Sequence, residues 1–377
     1  MSEVKVINQR EGKNWILYHG DCVRVIQGLP DNSIDLTVSS PPFGNLYIYS
    51  DDEADMGNSA DDEEFFTHYE FVIKEMYRAT RPGRLNVVHC KDMPAFKNRD
   101  GAMGLIDFPG KIIRAFEKCG WQYHSRVTIW KDPVVEMERT KNNGLLHRNF
   151  ASGAEQCRQG MPDYLIVFRK WPVEGGVPVI QQRVEGDYIG EKAPEEWELR
   201  PNRNTRQKNY SISVWQRYAS PVWMDIRQTN VLNDELSKDP EDVKHICPLQ
   251  RDVIARCIDL WSNKGEVIFD PFSGVGSTAY EAVRMGRRGV GIELKESYWK
   301  SSIKFCEKAE IEAGRPTLWE YAADQEAKAA ESAPAVIPIP ATSAPIEATV
   351  TDWHEKDGQY FDGDGKQITA EEIGEQL

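Results

Sequence analysis

An α/β fold, with helices on both faces of a mostly parallel sheet, is the architecture this sequence predicts. Three observations lead there. Short β-branched runs alternate with stretches whose apolar residues recur at helical spacing. A glycine-bearing turn joins one such run to a helix start within 267–278. Another run, Ile34–Ser39, is stopped by two consecutive prolines.

Trp15–His19 reads as a strand ending at Gly20-Asp21. Cys22–Leu29 places Val23, Ile26 and Leu29 on one helical stripe and stops before Pro30. Ile34–Ser39 is the second strand. Phe65–Thr80 is helical, with Phe66, Tyr69, Val72, Ile73 and Met76 aligned, and Arg81-Pro82-Gly83 ends it. Leu85–Cys90 is a strand, Phe108–Cys119 a helix closed by Gly120, and Val127–Trp130 with Tyr164–Phe168 a late strand pair. Leu249–Ser262 is helical. Val267–Phe269, Ser277–Met285, Gly289–Ile292 and Ser297–Ala313 complete a strand-helix-strand-helix series. Residues 171–245, rich in Pro, Arg, Asn and Trp, interrupt the alternation and read as an insert.

The 377 residues are 40% hydrophobic and 28% charged, a balance that argues against a fibrous or wholly disordered chain. No apolar run approaches the ~20 residues of a membrane span. Met1–Arg10 is polar and lacks a secretory core. The seven Cys are odd in number and form no CxxC pair, so reduced thiols in a cytoplasmic protein are expected, with no metal site. The net charge of −14 is unevenly spread: residues 322–377 hold 12 acidic and 3 basic side chains, and Asp51–Glu64 holds 8 acidic and no basic ones. Arg200–Arg217, in contrast, carries Arg200, Arg203, Arg206, Lys208 and Arg217 without one acid, which suits a polyanion. Residues 322–350 are an Ala/Pro-rich linker, and 351–377 a small acidic element read as a hairpin followed by a helical turn. Its Asp-Gly-Asp-Gly is out of register for a calcium loop, because Gly365 at the sixth position would put Tyr360 at the first.

Two turns carry chemistry. In Asp270-Pro271-Phe272-Ser273-Gly274-Val275-Gly276-Ser277-Thr278, the two glycines permit left-handed backbone or close approach of a ligand. The free N–H groups at the helix start suit an anion. Glu293 ends the next strand, where an acid can accept both hydroxyls of a ribose. Gly274-x-Gly276-x-x-Ala279 also fits a dinucleotide, so a nicotinamide enzyme, another nucleoside cofactor and a structural turn all stay open here. The missing Lys argues against ATP hydrolysis. At the other turn, Ser40-Pro41-Pro42-Phe43, each proline restricts the residue before it. The stiff result offers the Ser40 hydroxyl and the Pro41 carbonyl as acceptors beside a flat Phe43 ring. It could grip a planar amine, or simply end a strand with a core Phe.

Taken together, the two turns resemble those of the β-class amino-methylating DNA methyltransferases, which make N4-methylcytosine or N6-methyladenine. Ser40-Pro41-Pro42-Phe43 is similar to the family's catalytic motif, and Asp270–Thr278 to its S-adenosyl-L-methionine motif, in the order catalytic first and cofactor last. His19-Gly20-Asp21-Cys22 resembles the segment that meets the cofactor adenine, and His245-Ile246-Cys247-Pro248 is a weak version of the one that closes over methionine. The acidic stretch 51–64 is not a family hallmark.

The resemblance implies a Rossmann-like S-adenosyl-L-methionine-dependent fold with a late antiparallel strand pair and an inserted target-recognition region. The implied division is 1–170 (catalytic half), 171–245 (target recognition), 246–321 (cofactor half), then linker and tail. It further implies double-stranded DNA as partner, a flipped base, no Cys nucleophile, no metal and no membrane, and it allows a homodimer. Ser40, Pro41, Pro42 and Phe43 would be catalytic. Asp21, Cys22, Asp270, Pro271, Phe272, Gly274, Gly276, Ser277, Thr278 and Glu293 would bind cofactor, with Asp21 alternatively only a helix cap. Arg200, Arg203, Arg206, Lys208 and Arg217 would meet DNA, and 131–148 would form a loop over the target base. Ser in the first motif position favours cytosine over adenine. The rivals are a nicotinamide dehydrogenase, a non-catalytic nucleic-acid binding module, and a methyltransferase of RNA or protein amides.

Overall fold

The computed structural model describes residues 6–42, 62–95, 97–102, 104–140, 146–151, 160–171, 212–232, 249–314, 353–356, 359–362 and 367–368. The chain forms two compact units, Met1–Pro316 and Thr317–Leu377.

The first unit is organised on a nine-stranded sheet. Its strands are β1 (Asn8–Glu11), β2 (Trp15–His19), β3 (Ile34–Ser39), β4 (Thr80–Cys90), β7 (Gln122–Ile129), β8 (Asp163–Arg169), β9 (Val222–Trp223), β10 (Val267–Asp270) and β11 (Arg288–Glu293). They lie in the order β1-β2-β11-β10-β3-β4-β8-β7-β9. From β2 across to β4 every pairing is parallel, while β8 runs antiparallel to both β4 and β7. The predicted parallel sheet with a late antiparallel pair is therefore present. A separate hairpin pairs β5 (Met93–Ala95) with β6 (Gly104–Ile106).

Side chains of successive strand residues point to opposite faces. Ile34 of β3, Val88 of β4, Ile166 and Phe168 of β8 and Phe269 of β10 join one core cluster. It packs against α1 (Cys22–Ile26), α2 (Asp62–Ala79) and α4 (Phe108–Lys118). Leu36 and Val38, which follow a register irregularity after Ile34, face the other way with Val87, Leu165, Val167 and Ile268, against Val253, Ile254, Cys257 and Ile258 of α8 (Arg251–Trp261). Both faces are covered, so these strands read as continuous apolar runs. A third cluster sets Trp15 and Leu17 against α9 (Ser277–Arg284) and α10 (Glu296–Ala313).

The edge of the sheet opposite the strand carboxyl ends is tied by a buried carboxylate. Asp35 of β3 accepts from Arg81 (2.6 Å) and Arg84 (3.3 Å) on β4 and from the backbone N–H of Val267 on β10 (2.9 Å). Arg84 also pairs with Glu266.

Several boundaries differ from the sequence expectation. β4 starts at Thr80, directly after α2, so Arg81-Pro82-Gly83 lies within the strand. β7 is longer than expected and starts at Gln122. α1 ends at Ile26 instead of reaching Leu29. The expected loop 131–148 contains α5 (Pro133–Thr140) and the start of α6 (His147–Ala151), and α3 (Lys97–Asp100) is a further short helix. Within 171–245, residues 212–218 form helix α7, and β9 adds to the sheet beside β7. In the second unit, the expected hairpin is β12 (Trp353–Lys356) with β13 (Gln359–Asp362). A third strand, β14 (Gln367–Ile368), pairs with β13 where a helical turn was expected. The linker 322–350 lies outside the described residues.

Candidate active site at the carboxyl edge of the sheet

The parallel strands β2, β11, β10, β3 and β4 end together, and the two chemistry-bearing turns leave from neighbours. Ile268 and Phe269 of β10 pair in parallel with Leu36 and Thr37 of β3. The glycine turn and the Ser-Pro-Pro turn therefore emerge side by side, although some 230 residues separate them. A side-chain bond joins them directly: Thr278 donates its hydroxyl to the carbonyl of Val38 (3.1 Å).

The glycine turn is built by its backbone. Gly274 and Gly276 sit at φ +54° and +86°, left-handed values that L side chains rarely adopt. A Cβ on Gly276 would lie 2.6 Å from Cβ of Ser302, whereas one on Gly274 would meet nothing within 4 Å among the described residues. One glycine is needed for packing, and the other faces open space. Glu293 closes the turn from the end of β11. Its Oε2 accepts from Gly274 N–H (2.7 Å) and its Oε1 from Lys295 N–H (2.8 Å). Asp270 accepts from Phe272 N–H (2.9 Å). Burial pushes the Asp270 carboxyl up to about 7, against the lowering effect of its hydrogen bond from Phe272 N–H. Ser273 Oγ and Ser277 Oγ are buried and have no hydrogen-bond partner among the described residues.

These features fit S-adenosyl-L-methionine. An open glycine, two unsatisfied hydroxyls and an acidic strand end offer backbone approach, spare hydrogen-bonding capacity and an acceptor for ribose. A buried carboxyl with a raised pKa gains by the approach of a cation.

Asp21 caps α1, accepting from Val23 N–H (3.0 Å), and lies 3.5 Å from Arg24. The capping role is thus present, and the preceding Gly20 ties this turn to β11 through its N–H to the Glu293 carbonyl (3.0 Å). His19 bonds the carbonyl of Leu294 (3.0 Å) and stacks on Trp299. Burial raises the thiols of Cys22, Cys90, Cys257 and Cys306 well above their ordinary value, so none of these four is a ready nucleophile. Among the described residues, no group of three or more His, Cys, Asp or Glu could hold a metal, and no helix is long and apolar enough to cross a membrane.

Ser40, just past β3, is partly buried and Pro41 and Pro42 are buried. Behind Ser40 stands a chain of polar side chains that sequence reasoning missed. Ser40 Oγ lies 3.1 Å from His89 Nδ1, His89 Nε2 lies 3.0 Å from Asp163 Oδ2, and Lys131 Nζ lies 2.5 Å from the same oxygen. His89 is next to last in β4, Asp163 opens the antiparallel β8, and Lys131 follows β7. Burial alone would raise the Asp163 carboxyl, but the hydrogen bond from His89 and the neighbouring Lys131 ammonium hold it well below the usual carboxylate range. A signal did exist: a lone His in the otherwise apolar run Val87-Val88-His89-Cys90.

Phe43, the basic residues Arg200, Arg203, Arg206 and Lys208, and the segment His245–Pro248 lie outside the described residues. Arg217, on α7, is exposed and sits 3.7 Å from Asp225, which shares part of its charge.

A doubly wound sheet thus sets a glycine turn beside a rigid Ser-Pro-Pro rim at its carboxyl edge. A family model described as DNA methylase matches residues 34–304, most of the chain. The chain belongs to that family, the amino-methylating DNA methyltransferases, which depend on S-adenosyl-L-methionine. It is 22% identical over 308 residues to the type II methyltransferase M.MjaI of Methanocaldococcus jannaschii, covering 75% of this chain and 88% of that one. It is 22% identical over 290 residues to the DNA adenine methyltransferase YhdJ of Escherichia coli, covering 76% and 81%. Two solved structures share the fold. PvuII DNA methyltransferase, described as cytosine-N4-specific, superposes with a TM-score of 0.52 at 16% identity, over 82% of this chain and 96% of that one. TTHA0409 of Thermus thermophilus, described as a DNA modification methylase and complexed with S-adenosyl-L-methionine, gives 0.52 at 21% identity, over 78% and 94%. The dehydrogenase alternative is set aside by the family.

Proposed function

We propose that this DNA methyltransferase acts on the exocyclic amine of a base flipped out of double-stranded DNA, with cytosine N4 preferred to adenine N6. The observation that carries the reading is the Thr278–Val38 bond, which sets the glycine turn beside the Ser40 rim. S-adenosyl-L-methionine, when bound, supplies an activated electrophilic methyl group, so positioning is the protein's main task.

Each residue then has a task. Glu293 accepts from the ribose hydroxyls and Asp21 from the adenine amino group. Asp270, Pro271, Phe272 and the 274–278 backbone line the methionine end. Ser40 and the Pro41 carbonyl accept from the target amine, which aims its lone pair and stabilises charge developing on nitrogen. Phe43 stacks on the flipped ring. Arg200, Arg203, Arg206, Lys208 and Arg217 contact the duplex from the 171–245 insert. A serine in the first motif position supports cytosine.

The test is nucleoside mass spectrometry of duplex DNA treated with the protein and S-adenosyl-L-methionine. N4-methylcytosine is the expected product, formed far more slowly by Ser40→Ala. N6-methyladenine alone would reverse the base assignment.

A further inference from the structure

We propose that His89, held by Asp163 and Lys131, is the positioning residue that turns the Ser40 hydroxyl into an acceptor and takes up the proton Ser40 relays. The inference rests on the reading of Ser40 as the residue that meets the target amine.

The argument starts at Asp163. It is buried, and one of its oxygens meets both Lys131 Nζ (2.5 Å) and His89 Nε2 (3.0 Å). An oxygen that accepts from an ammonium is a carboxylate oxygen, so the Nε2 facing it bears a hydrogen. With Nε2 protonated, neutral His89 presents a lone pair at Nδ1, 3.1 Å from Ser40 Oγ. The Ser40 hydroxyl donates into that lone pair. Its single proton is thereby directed away from the rim, and its oxygen lone pairs are left for an N–H donor. A serine without this backing can rotate and offer its proton to the amine nitrogen, occupying the lone pair that must attack.

The same line disposes of the surplus proton. A methylated exocyclic amine is cationic until an N–H bond breaks. That proton passes to Ser40 Oγ as the Ser40 proton passes to His89 Nδ1. One N–H bond is lost from the base, one is gained at Nδ1, and Ser40 is unchanged. The imidazolium rests against the Asp163 carboxylate until water removes its proton. No oxidant, metal or covalent intermediate is required.

The discriminating variant is His89→Asn, whose side-chain oxygen can stand near the place of Nδ1 and accept from Ser40 but cannot hold the proton. Turnover should fall about 100-fold, in the range of a lost general base, with the dissociation constants for S-adenosyl-L-methionine and duplex DNA changed less than threefold. The double variant Ser40→Ala/His89→Asn should be no slower than Ser40→Ala alone. Independently of activity, 15N NMR of histidine-labelled protein should show His89, identified by the signal missing from His89→Asn, as the Nε2–H tautomer. Ser40→Ala should shift its Nδ1 signal alone. Unchanged turnover in His89→Asn, additive losses in the double variant, or an Nδ1–H tautomer would each overturn the relay while leaving the methyltransferase reading intact. A parent protein that methylates no DNA base would instead overturn that reading, and the relay with it.

Discussion

The hydroxyl of Thr278 reaches 3.1 Å to the carbonyl of Val38, bonding the first turn of the glycine-turn helix to the strand that leads into Ser40. Both groups are buried, so neither can turn to water instead. Thr278→Val, which keeps shape and deletes the donor, should cost about 1–3 kcal/mol through the stranded carbonyl. Thr278→Ser should recover most of it. Chemical denaturation of the three proteins measures the difference, and equal stabilities would refute the link.

The two glycines of the turn should respond differently to alanine. Gly276→Ala meets both left-handed backbone strain and a 2.6 Å approach to Ser302, and should lose stability as well as cofactor binding. Gly274→Ala meets strain alone, on the order of 1–2 kcal/mol, because none of the described residues lies within 4 Å of the new methyl group. If the open space is the cofactor's, Gly274→Ala should stay folded yet bind S-adenosyl-L-methionine at least tenfold more weakly. Calorimetric titration separates the two, and full affinity in Gly274→Ala would place the cofactor elsewhere.

Asp270 gives the free protein a pH dependence of known sign. Its carboxyl is raised to about 7 in the fold by burial, against roughly 3.9 in an unfolded chain. The stability associated with its neutral form is complete below the unfolded value and is lost as pH rises through about 7. The loss is on the order of 4 kcal/mol at most. Asp270→Asn should therefore gain on the parent protein between pH 5 and pH 8 in denaturation midpoint. Binding of the cationic cofactor near pH 6 should release a proton from Asp270. Titration in buffers of different ionisation heat detects this, and identical heats would count against the placement.

At the opposite edge, Asp35 should matter for stability alone. Asp35→Ala removes the carboxylate that joins Arg81, Arg84 and the Val267 amide; Arg84 keeps Glu266, so the cost is about 1–3 kcal/mol, chiefly from the amide left without an acceptor. Cofactor affinity of the remaining folded fraction should be unchanged. A loss under 1 kcal/mol in urea denaturation would show the network to be dispensable.

Much of the sheet is legible in the sequence alone. Ile34–Ser39 is a strand with the predicted bounds because its apolar run is stopped by Pro41 and Pro42, which act locally. The glycine turn, Glu293 and Ser40 stand out in the sequence for the same reason: each is marked by its sequence neighbours. His89, Asp163 and Lys131 do not, because they meet only when β4, β7 and β8 lie side by side. β1 escaped notice because Asn8–Glu11 is exposed throughout and carries no apolar period. Arg81-Pro82-Gly83 misled because a proline is tolerated once its missing N–H is not needed by the ladder.

The strand order has a cost during synthesis. β2 and β3 emerge early, yet the two strands that separate them, β10 and β11, are translated more than 220 residues later. Until residue 293 has left the ribosome, two apolar edges stand unpaired and free to stick to other chains. Closure over so long a loop is slow. The nascent polypeptide should accordingly be a client of holding chaperones. A circular permutant that begins near residue 249 would bring the four strands together early and should refold faster than its parent.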